Sequence, residues 1–420
     1  MSDTSADSRL PARAWLIVGL LWVVGCLNYL DRVMIITMRS SIKEAIPMTD
    51  AQFGLLTTVF LFVYAILSPL GGYVADRFSC SKIIIFSLLV WSATTWLTSL
   101  ATTFPELLVA RGFMGVSEAC YLPAAGALIA DYHRAATRSL ANGIHLSGVM
   151  VGAGLGGLGG FLAERYVWTY ALGLFGAIGV AYTIVLLLFL RDRPAEVRPA
   201  AGVAAPLRPR IRFLDALRSL FGQPQFVLAL LFWGLLGITS WSFTGWMPTY
   251  LGETFHLAQG RAGLTSTVLI CCGSLCGVLL SGVWADRWSQ RSPAGRAWVG
   301  VIGLSLCVPC VLILAHTAVL GVAMASLVAY AVTRVFPEAN MMPILFQITD
   351  PRYRATGLGL LNAFGTTVGG IAIYVGGVLR DANVNITKVF YSGALGLAVC
   401  AVLLWVIRPR TDLPVSPLPQ

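Results

Sequence analysis

Charge is scarce in this sequence. Asp, Glu, Lys and Arg make up 11% of its 420 residues and 57% are hydrophobic, whereas a soluble domain carries about a quarter of charged residues. That balance excludes a soluble fold of this size. Nucleotide loops, metal-ligand spacings and nucleophile–base constellations are also missing, and no polar stretch is long enough to hold a signalling module. Neither an enzyme nor a sensor is expected, and no cofactor. The nine cysteines form no disulfide framework, because most lie in apolar runs where a small soft side chain packs well. Cys307 and Cys310 make a C-x-x-C without the second ligand pair that a metal site needs.

What is there in abundance is the long apolar run. Crossing a hydrocarbon core takes about 20 apolar residues per helix. Such runs lie near 14-40, 51-75, 83-102, 105-131, 139-163 and 167-190, then near 225-252, 262-285, 297-315, 318-348, 355-379 and 387-408. The expectation is an all-α membrane protein: a bundle over 1-190, a linker over 191-224, a second bundle over 225-408 and a tail over 409-420. The first run, from Trp15, follows a short polar tail without a small-residue cleavage site and reads as a retained helix. In the Arg- and Pro-rich linker, Ile211, Leu214, Leu217, Leu220 and Phe221 recur at helical spacing among Arg210, Arg212 and Arg218. That pattern suits a short helix on the membrane surface or a solvated linker.

The net charge of +10 matters through its placement. Arg39, Lys43, Arg165, Arg261, Arg380 and Lys388 fall on one side of the predicted helices, and Arg32, Arg111 and Arg334 fall within them. The remaining Lys and Arg lie in the tails, the linker and the loops of the other side. By the positive-inside rule both termini and the linker are cytoplasmic, in an inner (cytoplasmic) membrane. The basic excess thus sets topology, and no nucleic-acid partner is expected.

A repeat divides the chain. Gly72-Tyr-Val-Ala-Asp76-Arg77-Phe-Ser79 returns as Gly282-Val-Trp-Ala-Asp286-Arg287-Trp-Ser289, each copy after the second helix of its half, which marks a duplication. This doubled G-x-x-A-D-R loop resembles the signature of the major facilitator superfamily. The resemblance implies twelve transmembrane helices in two pseudo-symmetric six-helix bundles. It also implies a lock in which Asp76, Arg77, Asp286 and Arg287 hold the cytoplasmic helix ends together while the protein is open outward, joined by Lys82 and Arg138; read without the resemblance, these charges only set topology. Cys80 and Val167-Trp168 depart from the family pattern, which implies a weaker lock.

An ionisable side chain at mid-bilayer costs about 2.5–3.5 kcal/mol and so faces the bundle interior. The predicted helices hold Asp31, Arg32, Arg111, Glu118, Arg334 and Glu338. Asn28 can share a face with Asp31 or Arg32, and Arg111, Gly115 and Glu118 form one stripe with a glycine that permits close approach. Counted by helical rise, Asp31 and Arg111 lie at similar depth in the outer half and Glu118 nearer the centre, which places two acids and two arginines around one cavity. An acid beside Arg stays ionised, and takes a proton once that Arg turns to an anionic substrate. The alternative is two neutralising pairs, Asp31 with Arg32 and Arg111 with Glu118, that only hold helices. Arg334 and Glu338, four apart around Pro337, form either a cytoplasmic gate or a structural ion pair. His145 is a titrating group or a hydrogen-bonded packing residue. Ser240, Trp241, Thr244, Tyr250 and Asn362 look like hydroxyl and aromatic cavity walls. The glycine-dense fifth and eleventh helices suit tight packing or an interface along which two halves rock.

The stretches Asn28-Tyr-Leu-Asp31-Arg32 and Arg111-Gly-Phe-Met-Gly115-Val-Ser-Glu118 resemble the anion:cation symporter branch, which includes sugar-acid and organic-anion:proton symporters. They are also similar to the spinster-type lysolipid and sphingolipid carriers. The eleventh-helix glycines, without an acidic Gly-Asp element, look more like the symporters. The resemblance implies that Asp31 and Glu118 carry protons and that Arg32 and Arg111 serve the substrate anion or the coupling network. Phosphate antiport is disfavoured because 225-252 has no charged residue, and drug antiport because the fifth-helix core has no proline. The expectation is a monomeric carrier of a small organic anion, coupled to protons and working by alternating access.

Overall fold

The structure, a computed structural model, describes residues 12–192, 213–292 and 294–407. Most of the predicted linker, with Arg210, Ile211 and Arg212, and the tail beyond 407 lie outside the described residues. Twelve of the described helices are long and apolar enough to cross a membrane. They are α1 (Arg13–Thr37), α2 (Asp50–Ala75), α3 (Cys80–Thr98), α4 (Phe104–Tyr132), α5 (Ala136–Arg165) and α6 (Trp168–Phe189), then α7 (Pro224–Phe255), α8 (Gln259–Ser289), α9 (Gly295–His316), α10 (Leu320–Ile348), α11 (Thr356–Asp381) and α12 (Ile386–Val406).

Local chemistry sets the ends and breaks. Thr49 and Gln52 form a capping box at the start of α2, and Thr103 and Glu106 another at α4, where Pro105 sits in the first turn. α4 is interrupted at Cys120, between Phe104–Glu118 and Tyr121–Tyr132. Pro123, in the first turn of the second segment, has no N–H to continue the ladder. α5 changes register at Gly156, between Ala135–Leu155 and Gly157–Arg165. The predicted first helix is shorter than its run, because Arg39–Ala45 forms a separate helix. Phe213–Phe221 is helical; Leu220 is fully buried and Leu214 is 75% exposed, so the helix docks on the second bundle by one edge only.

The duplication is visible in how glycines pair the helices. A Cβ at Gly152 in α5 would stand 2.0 Å from the Cys26 carbonyl oxygen in α1, and one at Gly237 in α7 would stand 2.4 Å from that of Gly365 in α11. Likewise Gly115 of α4 lies against Phe60 of α2, and Gly277 of α8 against Val332 of α10. Equivalent helices of the two bundles thus meet by the same device, backbone against backbone at a small residue.

The face where α1 begins and α12 ends is termed the terminal face; the opposite one is the far face. The halves interlock toward the far face, α2 against α11 and α5 against α8. Thr58 Oγ1 donates to Gly370 O at 2.6 Å, Thr267 Oγ1 to Gly154 O at 2.7 Å and Gly260 N to Glu164 Oε2 at 2.6 Å. Toward the terminal face Gly72, Gly143, Gly282 and Gly359 have no heavy atom of another element within 4 Å of a built Cβ. Among the described residues, no hydrogen bond or ion pair joins the halves at that face.

Candidate functional site

Between the halves, at mid-depth, lies a cavity of about 410 Å³. The wall comes from both bundles: Tyr29 and Val33 of α1, Val149 and Met150 of α5, Trp233, Ser240, Trp241 and Thr244 of α7, Ile270, Cys271 and Ser274 of α8, Arg334 and Glu338 of α10, and Asn362 and Thr366 of α11. Residues 233, 237, 240, 241 and 244 keep helical spacing on one face of α7, and that regularity is the signal that could have added Trp233 to the predicted wall.

Arg334 and Glu338 are the charged residues lining this cavity. They pair at 2.7 Å, and Arg334 also donates to Ser240 Oγ at 3.1 Å. The spacing predicted that pair; its position on the substrate-sized cavity was not foreseen. Trp241 and Asn362 line the cavity.

Four other expected binding residues are placed elsewhere. Tyr250 is 1% exposed in the core of the second bundle, where its hydroxyl donates to Leu314 O at 2.7 Å and its ring packs on Phe390; it is a packing residue. Asn28, Arg32 and Arg111 are at most 2% exposed and none lines the cavity. They belong to a second site, sealed inside the first bundle.

That buried cluster gathers Asn28, Asp31 and Arg32 of α1 with Arg111 and Glu118 of α4. Neither pairing drawn from the sequence forms. Arg32 instead reaches across to Glu118, at 2.8 Å, with side chains 3% and 0% exposed, and contacts Asn28 Oδ1 at 3.5 Å. Asp31 accepts from Thr95 Oγ1 of α3 at 3.4 Å. Arg111 donates to Leu56 O of α2 at 3.3 Å and lies over the Phe60 ring. One oxygen each of Asp31 and Glu118, and one terminal nitrogen of Arg111, have no hydrogen-bond partner among the described residues.

An ion network joins the halves at the far face. Asp50, at the start of α2, pairs with Arg39 and Lys43 of its own half and with Arg380 of α11, the last at 2.8 Å. Arg380 in turn pairs with Glu253 of α7 at 2.6 Å. Asp381 accepts from the Asp50 and Ala51 backbone N–H groups at 2.8 and 2.9 Å, capping α2 from the other bundle. The sequence showed these residues only as charges of the less basic side.

The described residues of the repeated loops make their contacts within their own halves. Asp286 pairs with Arg296 of its own bundle at 2.6 Å, Arg77 lies over Tyr73, and Arg138 donates to Ala130 O and His133 O. No hydrogen bond or ion pair among the described residues joins Asp286, Arg287, Arg77 or Arg138 to the opposite half. Among the described residues no group of three or more His, Cys, Asp or Glu is placed to hold a metal. His145 Nε2 lies 2.7 Å from the Tyr121 hydroxyl, which donates to Leu21 O. Such packing predicts that His145→Gln lowers stability by about 1 kcal/mol and leaves the pH profile of transport unchanged; a displaced profile would make His145 a coupling group.

Two bundles of equivalent helices, a mid-depth cavity between them and closure at one face describe a fold, and the sequence supplies its ancestry: the profile of the Major Facilitator Superfamily matches residues 21–373. The chain belongs to that superfamily. Among its curated relatives, the human protein spinster homolog 1 is 31% identical over 310 residues, 70% of this chain and 58% of that protein. The chain thus spans about 58% of the length of the spinster relatives it matches. An MFS-type efflux pump of Mycolicibacterium smegmatis is 26% identical over 399 residues, 94% of this chain and 90% of the pump. Among solved structures, a bacterial homolog of the human lysosomal transporter Spinster, inward-facing and unoccupied, superposes with a TM-score of 0.76 at 22% identity, covering 94% of this chain and 95% of that one. The chain is thus a multi-pass membrane protein of a transporter superfamily.

Proposed function

We propose that this carrier moves an organic anion with an apolar body by proton-coupled symport, with Asp31 and Glu118 as the proton sites and the central cavity as the substrate site. The observation that carries the reading is the cavity's make-up: one cation, Arg334, held by Glu338 at 2.7 Å, in a wall whose other residues are apolar, aromatic or uncharged polar. A carboxylate or phosphate group would engage Arg334, Ser240 and Asn362. Its apolar remainder would lie along Val33, Met150, Ile270 and the faces of Trp233 and Trp241. The apolar stretch formed by Val33, Met150, Ile270, Trp233 and Trp241 favours a single-chain amphiphile of the spinster kind over a sugar acid, which would leave those side chains without an apolar partner.

With the terminal face in the cytoplasm, as the positive-inside rule implies, the conformation is inward-open. The far-face network is then the closed outer gate, and the charges of the repeated loops await the opposite state, in which they lock the inner ends. Alternating access exchanges one set of contacts for the other around the cavity.

The test is uptake into proteoliposomes under an inward proton gradient, with sugar acids, small carboxylates and single-chain lysolipids compared. Gradient-driven movement of an amphiphilic anion supports the proposal. Movement of sugar acids alone would make the cavity selective for small polar anions and overturn the amphiphile reading. Arg334→Gln is expected to raise the KM for the transported anion about tenfold or more, the worth of a charge-assisted hydrogen bond, with a smaller change in maximal rate.

A further inference from the structure

The cavity and the buried charge cluster share one side chain. Tyr29 is among the cavity-lining residues, and on its other side the Arg32 guanidinium carbon lies 4.5 Å from its ring centroid. Two more rings enclose that guanidinium, Tyr64 at 4.6 Å and Phe60 at 4.8 Å, and Glu118 closes the box at 2.8 Å. Of the three rings only Tyr29 faces the cavity.

We propose that Tyr29 is the partition through which the buried cluster acts on the substrate: a positioning residue whose ring keeps Arg32 against Glu118, and past which Arg32 reaches the cavity once Glu118 is neutral. The proposal rests on the proton-coupled reading above.

The physical steps are these. Arg32 is bound by one ion pair and by three cation–π contacts, each worth about 0.5–2 kcal/mol. A proton on Glu118 removes the ion pair and leaves the aromatic contacts, which a passing anion can outbid with a charge-assisted bond. The other charged and titratable groups facing this arginine are Tyr64 of α2 and Arg111 of α4, while Asp31 on its own helix faces Arg111 and Glu118 and is held by Thr95 of α3. With Glu118 neutral, Arg32 loses its paired acid and Arg111 repels it. Phe60 and Tyr64 belong to α2, and Tyr29 is the ring of the three that lines the cavity, so the way from Arg32 to that space passes Tyr29.

The test labels arginines with phenylglyoxal in the detergent-solubilised full-length protein and reads modification of Arg32 and Arg111 by peptide mass spectrometry. Arg111, which also lies over the Phe60 ring and is not among the cavity-lining residues, is the internal control. Wild type and Tyr29→Phe are expected to keep both arginines protected, since either ring fills the wall. In Tyr29→Ala, Arg32 labelling is expected to rise about tenfold with Arg111 still protected. Glu118→Gln, with Tyr29 intact, is expected to raise Arg32 labelling severalfold. Arg32 protected in Tyr29→Ala, Arg111 labelled alongside it, or Arg32 unchanged in Glu118→Gln would each overturn the proposal. Wild-type protein that shows no gradient-driven uptake would sink the proton-coupled reading and leave the labelling pattern untouched, so the two fail separately.

Discussion

Asp31→Asn and Glu118→Gln are each expected to abolish gradient-driven accumulation while leaving exchange of substrate across the membrane measurable. A proton crossing one pH unit supplies about 1.4 kcal/mol, a tenfold concentration ratio, and two protons supply a hundredfold ratio. A variant unable to carry its proton loses that factor; its substrate equilibrates and no longer accumulates. The two differ in cost to the fold. Asp31 is held by a neutral hydroxyl at 3.4 Å, so Asn at that position gives up little. Glu118 is the counter-ion of a fully enclosed arginine, and breaking such a pair on one side costs about 3–5 kcal/mol. Glu118→Gln is therefore expected to melt at a lower temperature than Asp31→Asn, though both lose coupling. Accumulation that persists in both variants, under the same gradient, would remove the cluster from the proton pathway.

The helices were legible because run length and charge depletion act residue by residue, and lipid allows no other solution for twelve such runs. The repeat was legible because duplication preserves sequence. What a helix does with its faces was harder to read. Arg32 and Arg111 were placed by depth, which helical rise gives, yet a depth does not say which neighbour a side chain meets. Arg32 finds Glu118 on another helix, a contact made by the packing of α1 on α4. Tyr250 illustrates the same limit: a tyrosine near a helix end suits a membrane interface, a cavity wall or a core, and only the position of Leu314 O decides. The breaks at Cys120 and Gly156 escaped because single residues within long apolar runs leave hydropathy unchanged. The far-face network escaped because its members lie in four separate elements and only the closed halves bring them together.

Gly377→Val should shift the carrier toward the state with the far face parted, because the closed state has no room for the side chain. A Cβ at Gly377 would stand 2.3 Å from the Asp50 carbonyl oxygen and 2.7 Å from Ala51 N. Those are backbone atoms at the first turn of α2, which cannot swing aside as a side chain could. The same approach carries the Asp381 cap onto Asp50 and Ala51, so displacing the helix end also removes two charge-assisted hydrogen bonds. Overpacking of this kind costs about 1–3 kcal/mol, which moves a two-state population by roughly 5- to 150-fold. Spin labels on the far ends of α2 and α11 would report a longer distance in the variant, and transport would slow because one half of the cycle is disfavoured. Gly393→Ala, where a Cβ meets nothing within 4 Å, is the control and should behave as wild type. An unchanged far-face distance in Gly377→Val would mean that α2 and α11 yield without parting. The closure would then be set by the ion network around Asp50 rather than by backbone contact at the glycine.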